Sequence, residues 1–320
     1  MISVHLEKGR VTVREARRPR RRPGFALIQL IYGGICNTDL ELKRGYYGFR
    51  GTPGHEFVGQ VIEADTPGLV GRRVVGDINL ACGDCDWCRR GLGRHCPKRS
   101  VLGIVRQPGA FSELFTLPER NLHKVPDSLL SEHAVFAEPL AAACEIVEQV
   151  KIPRGTEVAV LGDGKLGLLI AQVLQAQGAE VHLFGRHAGK LRLASDLGIA
   201  IASPRQRTAS RYAFTVDATG SAAGLAQAVS MTRPRGTVIL KSTVHGQVPV
   251  DTAPVIVQEI TLVGSRCGRI ERALPLLRSG KVKVAPLVSD VMPLREAPRA
   301  FARAAERGVL KVLLASGGTA

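Results

Sequence analysis

The sequence predicts an α/β chain in two parts, a compact β-rich unit followed by a doubly wound parallel sheet. Three observations carry this. Up to about Leu122 the chain runs in short alternating segments broken by glycine and proline. From Ser131 onward, strand-like and helix-like stretches alternate, and an apolar strand passes through a glycine turn into a helix. At about 150 residues per domain, 320 residues fit two domains, each able to bury its own core.

In order, "ISVHL", "VTVRE", "ALIQLIYG", "EFVGQVIEA", "RRVVG" and "FSELFTL" are strand signatures at regular spacing. The run "RRPRRRP" from Arg17 to Pro23 sits among prolines and reads as a solvated turn between strands. "SEHAVFAEPLAAACEIVEQV" is helical in period. "EVAVLGDGKLGLLIAQVLQAQG" gives strand, turn and helix, and "EVHLFG", "GKLRLASDLG", "FTVDATG", "AAGLAQAVSMT", "GTVILKS" and "ITLVGS" continue the alternation. That pattern implies a parallel sheet with helices on both faces. Beyond Gly264 come the helix "RIERALPLLRSG", then "PLREAPRAFARAAERG" leading into the last strand "KVLLA". The boundary between the two parts is a helix, so a firm junction is expected.

Composition narrows the function classes. A hydrophobic fraction of 45% with mean hydropathy +0.06 marks an ordinary globular protein. No apolar run approaches the roughly 18 residues of a membrane helix, and "MISVHLEKGR" lacks the layout of a signal peptide. A cytoplasmic, reducing home is expected, where crowded cysteines serve metals rather than disulfides. The net charge of +16 attracts anions, but it is spread along the chain, and 4% aromatic residues make no stacking platform. No nucleic-acid role is expected.

In "VLGDGKLG", Gly162, Gly164 and Gly167, with Lys165 and Leu166 between the last two, form G-x-G-x-x-G between a strand and a helix. The first glycine allows the tight turn, the second lets the backbone approach a pyrophosphate, and the third permits close packing of helix on strand. The phosphate then rests on the helix N-terminus. About twenty residues on, NAD enzymes carry an acid for the ribose hydroxyls. Here the strand ends "VHLFGRHAGK", placing Gly185, Arg186, His187 and Lys190 around that position. A small residue leaves room for a 2′-phosphate and an arginine fork grips one, so NADP is favoured, with NAD as the alternative. Asp217, Thr219 and Lys241 end later strands, where residues face a coenzyme or serve as structural caps.

Four of the seven cysteines crowd into "ACGDCDWCRRGLGRHCP". Cys82, Cys85 and Cys88 are separated by two residues each, and seven residues precede Cys96. Four thiolates gather a tetrahedral zinc and give cohesion to a lobe with little core of its own. A second set is dispersed: Cys36 in "GGICNTDLEL", His55 and Glu56 in "TPGHEFVGQV", and Glu138 in "FAEPLAAA". Singly each has an ordinary structural role. Jointly they offer sulfur, nitrogen and oxygen ligands with room for water, as in a catalytic zinc site.

With "CNTD", "GHEFVG", the four-cysteine lobe, "EPLA" and the glycine fingerprint in that order, the sequence resembles the zinc-dependent medium-chain dehydrogenase/reductase family of alcohol, polyol and sugar dehydrogenases. The resemblance implies a GroES-like catalytic domain over residues 1–135, a Rossmann coenzyme domain over 136–266, and a segment, 267–320, returning to the catalytic domain. It implies a catalytic zinc on Cys36 and His55, with Glu138 or Glu56 as third ligand or holding the metal's water. It also implies a proton-relay hydroxyl at Thr38 and a supporting carboxylate at Asp39. Many relatives have histidine five residues after the first zinc cysteine, where this chain has Glu41. "EPLA" in place of a later cysteine points towards sugar, polyol and threonine dehydrogenases. The implied reaction is hydride transfer between a small-molecule alcohol, or its carbonyl, and NAD(P), in a cleft between the domains. Tyr46, Tyr47 and Phe49 line the substrate pocket or simply pack their loop. A homodimer or homotetramer is implied through "EITLVGS". Two other readings compete: a zinc-stapled nucleotide-fold binding protein without catalysis, and a zinc-free quinone or enoyl reductase on the same scaffold.

Overall fold

The long apolar run "FALIQLIYGG" becomes the strand Phe25–Gly34 at the centre of the first sheet. The structure is a computed structural model describing residues 1–202, 209–243 and 247–317. The chain divides into two units, one of Met1–Glu138, Ala273–Arg278 and Leu287–Ala320, the other of Pro139–Arg272 and Ser279–Pro286.

In the first unit, Phe25–Gly34 pairs antiparallel with Glu56–Glu63 along one edge. Its other edge is shared: Leu114–Pro118 pairs with residues Phe25 to Gln29, and the chain's last strand, Lys311–Ala315, pairs with Tyr32 to Gly34. The C-terminal segment is therefore built into the sheet that carries "GGIC". Arg73–Gly76 and Leu122–Lys124 extend one side, and Val288–Pro293 the other. Leu27, Ile28, Val58, Val61, Leu117 and Val312 are buried in this unit. The helix Ala297–Ala304 turns Ala297, Ala300 and Phe301, spaced three and four apart, towards the strands Lys311–Ala315 and Arg10–Glu15.

Phe301 meets Phe111 edge to face at 6.1 Å between centroids. Phe111 in turn fills the space over two glycines. A Cβ on Gly33 would stand 2.8 Å from its ring, and one on Gly54 2.3 Å. Gly54 also has φ +100°, a conformation that side chains resist. Glycine is thus required immediately before His55.

The second unit holds a six-stranded, all-parallel sheet in the order Ala200–Ala202, Glu180–Phe184, Glu157–Leu161, Tyr212–Asp217, Thr232–Leu240, Thr261–Gly264. This is the 3-2-1-4-5-6 order of a dinucleotide-binding fold, with the switch point beside Glu157–Leu161. Val158, Ala159 and Val160 are fully buried, as expected of a strand covered on both faces. The α/β class, with a β-rich unit and a doubly wound parallel sheet, is the one read from the sequence.

One local reading is refined. The helical stretch from Ser131 splits into Ser131–Ala134 and Ala137–Gln149. Pro139 has no N–H to return to the carbonyl of Val135, so the helix restarts with proline in its first turn.

Gly54→Ala is expected to destabilise the first unit by about 2–4 kcal/mol, from positive-φ strain and overlap with Phe111. Adding Phe111→Leu should recover the overlap part but not the strain, as read by urea denaturation.

Candidate metal and coenzyme sites

Cys36 follows the central strand and stands as N-cap to the helix Asn37–Lys43. Its backbone N–H donates to Asp39 Oδ2 at 2.8 Å, fixing the first turn. Asp39 is wholly buried, and its other oxygen accepts the Gly54 N–H at 3.2 Å. The same oxygen lies 3.5 Å from His55 Nδ1, an electrostatic contact rather than a formed hydrogen bond. One carboxylate therefore ties together two candidate ligands 19 residues apart in the chain, and it leaves the far nitrogen of His55 free to coordinate.

Cys36, His55 and Glu56 each offer a ligand atom, all within 4.8 Å of one another. Glu56 is 1% exposed, and Oε1 has no hydrogen-bond partner among the described residues. Its Oε2 pairs with the ammonium of Lys311, which is itself fully buried, 5.5 Å from the Phe136 ring centroid. An orphaned carboxylate oxygen beside a thiol and an imidazole is what a bound zinc would complete. Burial works against the charge on His55, but Asp39 and Cys36 outweigh it and its pKa stands well above the usual imidazole value. The pocket thus favours positive charge. Lys311 follows the same logic: burial opposes its charge, the Glu56 and Cys36 charges prevail, and its pKa is raised.

Glu138 lies outside the 4.8 Å group. The residue is half-buried, but its carboxyl end is desolvated, which pushes its pKa up to about 7 against the pull of His55 and Lys311. Thr38 Oγ1 sits 3.8 Å from Cys36 Sγ. Glu41 is engaged with Arg44 one turn along the helix, at 2.5 Å. Tyr47, after that helix, is exposed with φ +59°, its ring 4.1 Å from that of Tyr46.

The four lobe cysteines converge. Sulfur–sulfur separations are 3.8 Å for Cys82–Cys88, 3.5 Å for Cys85–Cys88, 3.8 Å for Cys85–Cys96 and 3.5 Å for Cys82–Cys96. A tetrahedron with zinc–sulfur arms of about 2.3 Å has edges of about 3.8 Å, so the donor set fits zinc. His95, beside Cys96, is exposed and outside the group.

In the second unit the glycine loop has the predicted form. Gly162 has φ +113°, and a Cβ there would lie 2.5 Å from the Ala218 carbonyl oxygen. A Cβ on Gly167 would lie 1.9 Å from the Gly162 oxygen, the close helix-on-strand packing expected of the third glycine. Gly164 has open space in front of it and caps the helix Lys165–Ala176. Leu166 lies within that helix. Arg186 is exposed and Lys190 half-buried. Asp217 Oδ1 accepts from the Thr219 N–H at 2.9 Å and its hydroxyl at 2.8 Å, so these two hold their own turn. Lys241 Nζ donates to Ser265 Oγ at 2.9 Å and to the Arg266 carbonyl at 2.6 Å.

Two residues escaped the sequence reading. Lys311 opens the final strand, where a lysine ordinarily reaches solvent, so nothing in the sequence signalled a buried partner. Asp163 stood in a variable place of the fingerprint; its side chain is buried against His187.

Comparison with known proteins gives the family. Residues 22–127 match the alcohol dehydrogenase GroES-like domain, and residues 166–279 match the zinc-binding dehydrogenase domain. A 2-dehydro-3-deoxy-L-galactonate 5-dehydrogenase of Pseudoalteromonas atlantica is 30% identical over 299 residues, 87% of each chain. A D-altritol 5-dehydrogenase of Agrobacterium fabrum is 31% identical over 310 residues, 91% of this chain and 92% of the relative. A protein of Sinorhizobium meliloti 1021, assigned as a zinc-binding dehydrogenase and solved bound to NADP, superimposes with TM-score 0.90 at 29% identity, covering 98% of both chains. The chain belongs to the zinc-type medium-chain dehydrogenase family.

Lys311→Met should cost about 3–5 kcal/mol, because it strands a buried carboxylate. Glu56→Gln in that background should recover much of the loss. Strict additivity of the two substitutions in denaturation experiments would show that the pair does not interact.

Proposed function

We propose that the chain transfers a hydride between an alcohol, polyol or sugar-type substrate and NAD(P), with NADP favoured. One zinc is held at Cys36 and His55 and a second in the four-cysteine lobe. The observation that carries the reading is the buried thiol–imidazole–carboxylate group with its orphaned Glu56 oxygen. The named activities of the two relatives, both polyol or sugar-acid dehydrogenases, support the substrate class. The NADP of the Sinorhizobium structure supports the coenzyme.

A zinc ion bound there supplies a Lewis acid that lowers the pKa of a hydroxyl from roughly 16 towards neutrality. The chain's own groups do the rest. Cys36 and His55 hold the ion, and Glu56 or Glu138 supplies the third ligand or orients the metal's water. Asp39, 3.5 Å from His55 Nδ1, braces the ring electrostatically. The Thr38 hydroxyl, on the first turn beside Cys36, would accept the substrate's hydroxyl proton as it passes its own to the ribose of the bound coenzyme. The carbinol carbon then loses its hydrogen with both electrons to the nicotinamide ring. In the reverse direction the same groups return the proton. Gly162, Gly164, Lys165, Leu166 and Gly167 cradle the pyrophosphate, and Arg186 and Lys190 offer charge to a 2′-phosphate. The lobe's closed thiolate shell leaves no open position for substrate, so its zinc is structural.

No helix among the described residues is long and apolar enough to cross a membrane. Clustered thiols of this kind suit a reducing compartment, and we place the protein in the cytoplasm. The edge strand Thr261–Gly264 presents Leu262 at 40% exposure, with Ile256 and Val257 nearby in sequence at 71% and 81%. An unpaired apolar edge is a liability that a second copy of the chain would cover. Leu262→Lys is expected to shift light-scattering mass from an oligomer towards a monomer. A monomeric parent protein would remove this assignment.

Metal analysis should return about two zinc ions per chain. Cys36→Ser should retain the lobe's ion and fold but lose alcohol-dependent coenzyme reduction by more than about a hundredfold in kcat/KM. A screen of alcohols, polyols and sugars with both coenzymes, followed by reduced-coenzyme absorbance, supplies the substrate. A single ion with undiminished turnover in Cys36→Ser would favour a zinc-free reductase.

A further inference from the structure

Asp163 lies between Gly162 and Gly164, and the left-handed turn at Gly162 sends its side chain against the end of the strand Glu180–Phe184. Its Oδ2 accepts the backbone N–H of Arg186 and of His187, each at 2.7 Å. The His187 Nδ1 approaches Oδ1 at 3.0 Å and Oδ2 at 3.1 Å. One carboxylate thus fastens the loop that meets the adenosine ribose in dinucleotide folds.

The same carboxylate explains Gly185. A Cβ at that position would stand 2.5 Å from both Cβ and Oδ2 of Asp163. The place where NAD enzymes carry their ribose-binding acid is therefore filled from the phosphate loop, and no side chain fits at position 185. Nor is Asp163 a straightforward replacement for that acid: it is 6% exposed, and three donors from the loop converge on it. Burial works against its charge, but His187 and the two amides outweigh it and hold its pKa below the usual carboxylate range. Its charge is spent inward.

The loop also carries a permanent outward cation. Arg186 is exposed. With His187 Nδ1 turned to the carboxylate, its other nitrogen points away on a side chain 32% exposed.

We propose that Asp163 is the positioning residue for coenzyme choice, latching the Gly185–His187 loop so that the exposed Arg186 guanidinium meets a 2′-phosphate. The proposal rests on the NADP reading above and adds its determinant. Asp163 acts through the loop and does not touch the phosphate. Loss of the latch therefore weakens ligands that carry a 2′-phosphate and spares those that lack one.

The test uses the full-length protein and calorimetric titration with 2′,5′-ADP and with 5′-ADP. The parent should bind 2′,5′-ADP more tightly. Asp163→Ala should weaken 2′,5′-ADP about tenfold or more while changing 5′-ADP less than about threefold. Asp163→Asn, whose amide oxygen still accepts from the two backbone N–H groups, should restore part of the preference and serves where the alanine variant does not fold. Arg186→Ala should show the same selective loss, and combining it with Asp163→Ala should add little. Equal weakening of both ligands, no weakening, or tighter binding of 2′,5′-ADP to Asp163→Ala would each overturn the proposal. A parent protein indifferent to the 2′-phosphate would overturn the NADP reading as well, whereas a discriminating parent with an equally discriminating alanine variant would sink only the role of Asp163.

Discussion

The candidate metal pocket depends on a buried ion pair that crosses a strand. Glu56 and Lys311 stand on the two strands flanking Phe25–Gly34, and their side chains meet over Gly34. A Cβ on Gly34 would lie 2.7 Å from Glu56 Oε2 and 3.4 Å from Lys311 Cδ, so the missing side chain is what lets the charges touch. Burying Asp39, Glu56 and His55 at 3% exposure or less would be prohibitive without opposite charge. Lys311 supplies it from the last strand, 255 residues away from Glu56. The C-terminal strand is thus part of the pocket it completes.

That dependence explains what could be read from the sequence. The fingerprint turn and the clustering of the four lobe cysteines were legible because each is a local pattern, made by a few nearby residues. Cys36, His55 and Glu56 were legible only as an ordered series, since each alone is an ordinary buried side chain. Lys311 was not read, because a lysine in a short terminal strand normally lies in solvent and nothing nearby indicates a partner so far away. Asp163 was missed for another reason. Its place in the fingerprint accepts any residue, and its value appears only when the strand-end glycine is seen to make room for it. Asp217, Thr219 and Lys241 show the converse: polar residues at strand ends were read as facing a coenzyme or as caps, and their contacts here are with neighbouring chain.

The two units handle charge in opposite ways. The first gathers buried negative groups and, through Lys311, stops short of neutralising them, which suits a divalent cation. The second turns the carboxylates of Asp163 and Asp217 onto neighbouring chain and leaves Arg186 exposed, which suits a phosphate-rich coenzyme. The net charge of +16, without an aromatic platform, is better matched to drawing small anions towards the protein than to holding a polymer.

Donor spacing separates the two proposed zinc sites. In the lobe, the sulfur separations of 3.5 to 3.8 Å lie close to the roughly 3.8 Å edge of a zinc–thiolate tetrahedron, all four positions of which the cysteines would fill. At Cys36, three donors of different hardness lie within 4.8 Å, one carboxylate oxygen is unpaired, and a second carboxyl, Glu138, stands outside the group with its pKa raised to about 7. Such a set is neither closed nor symmetric. An ion held by it would have a position left to share, as the proposed binding of a substrate hydroxyl requires.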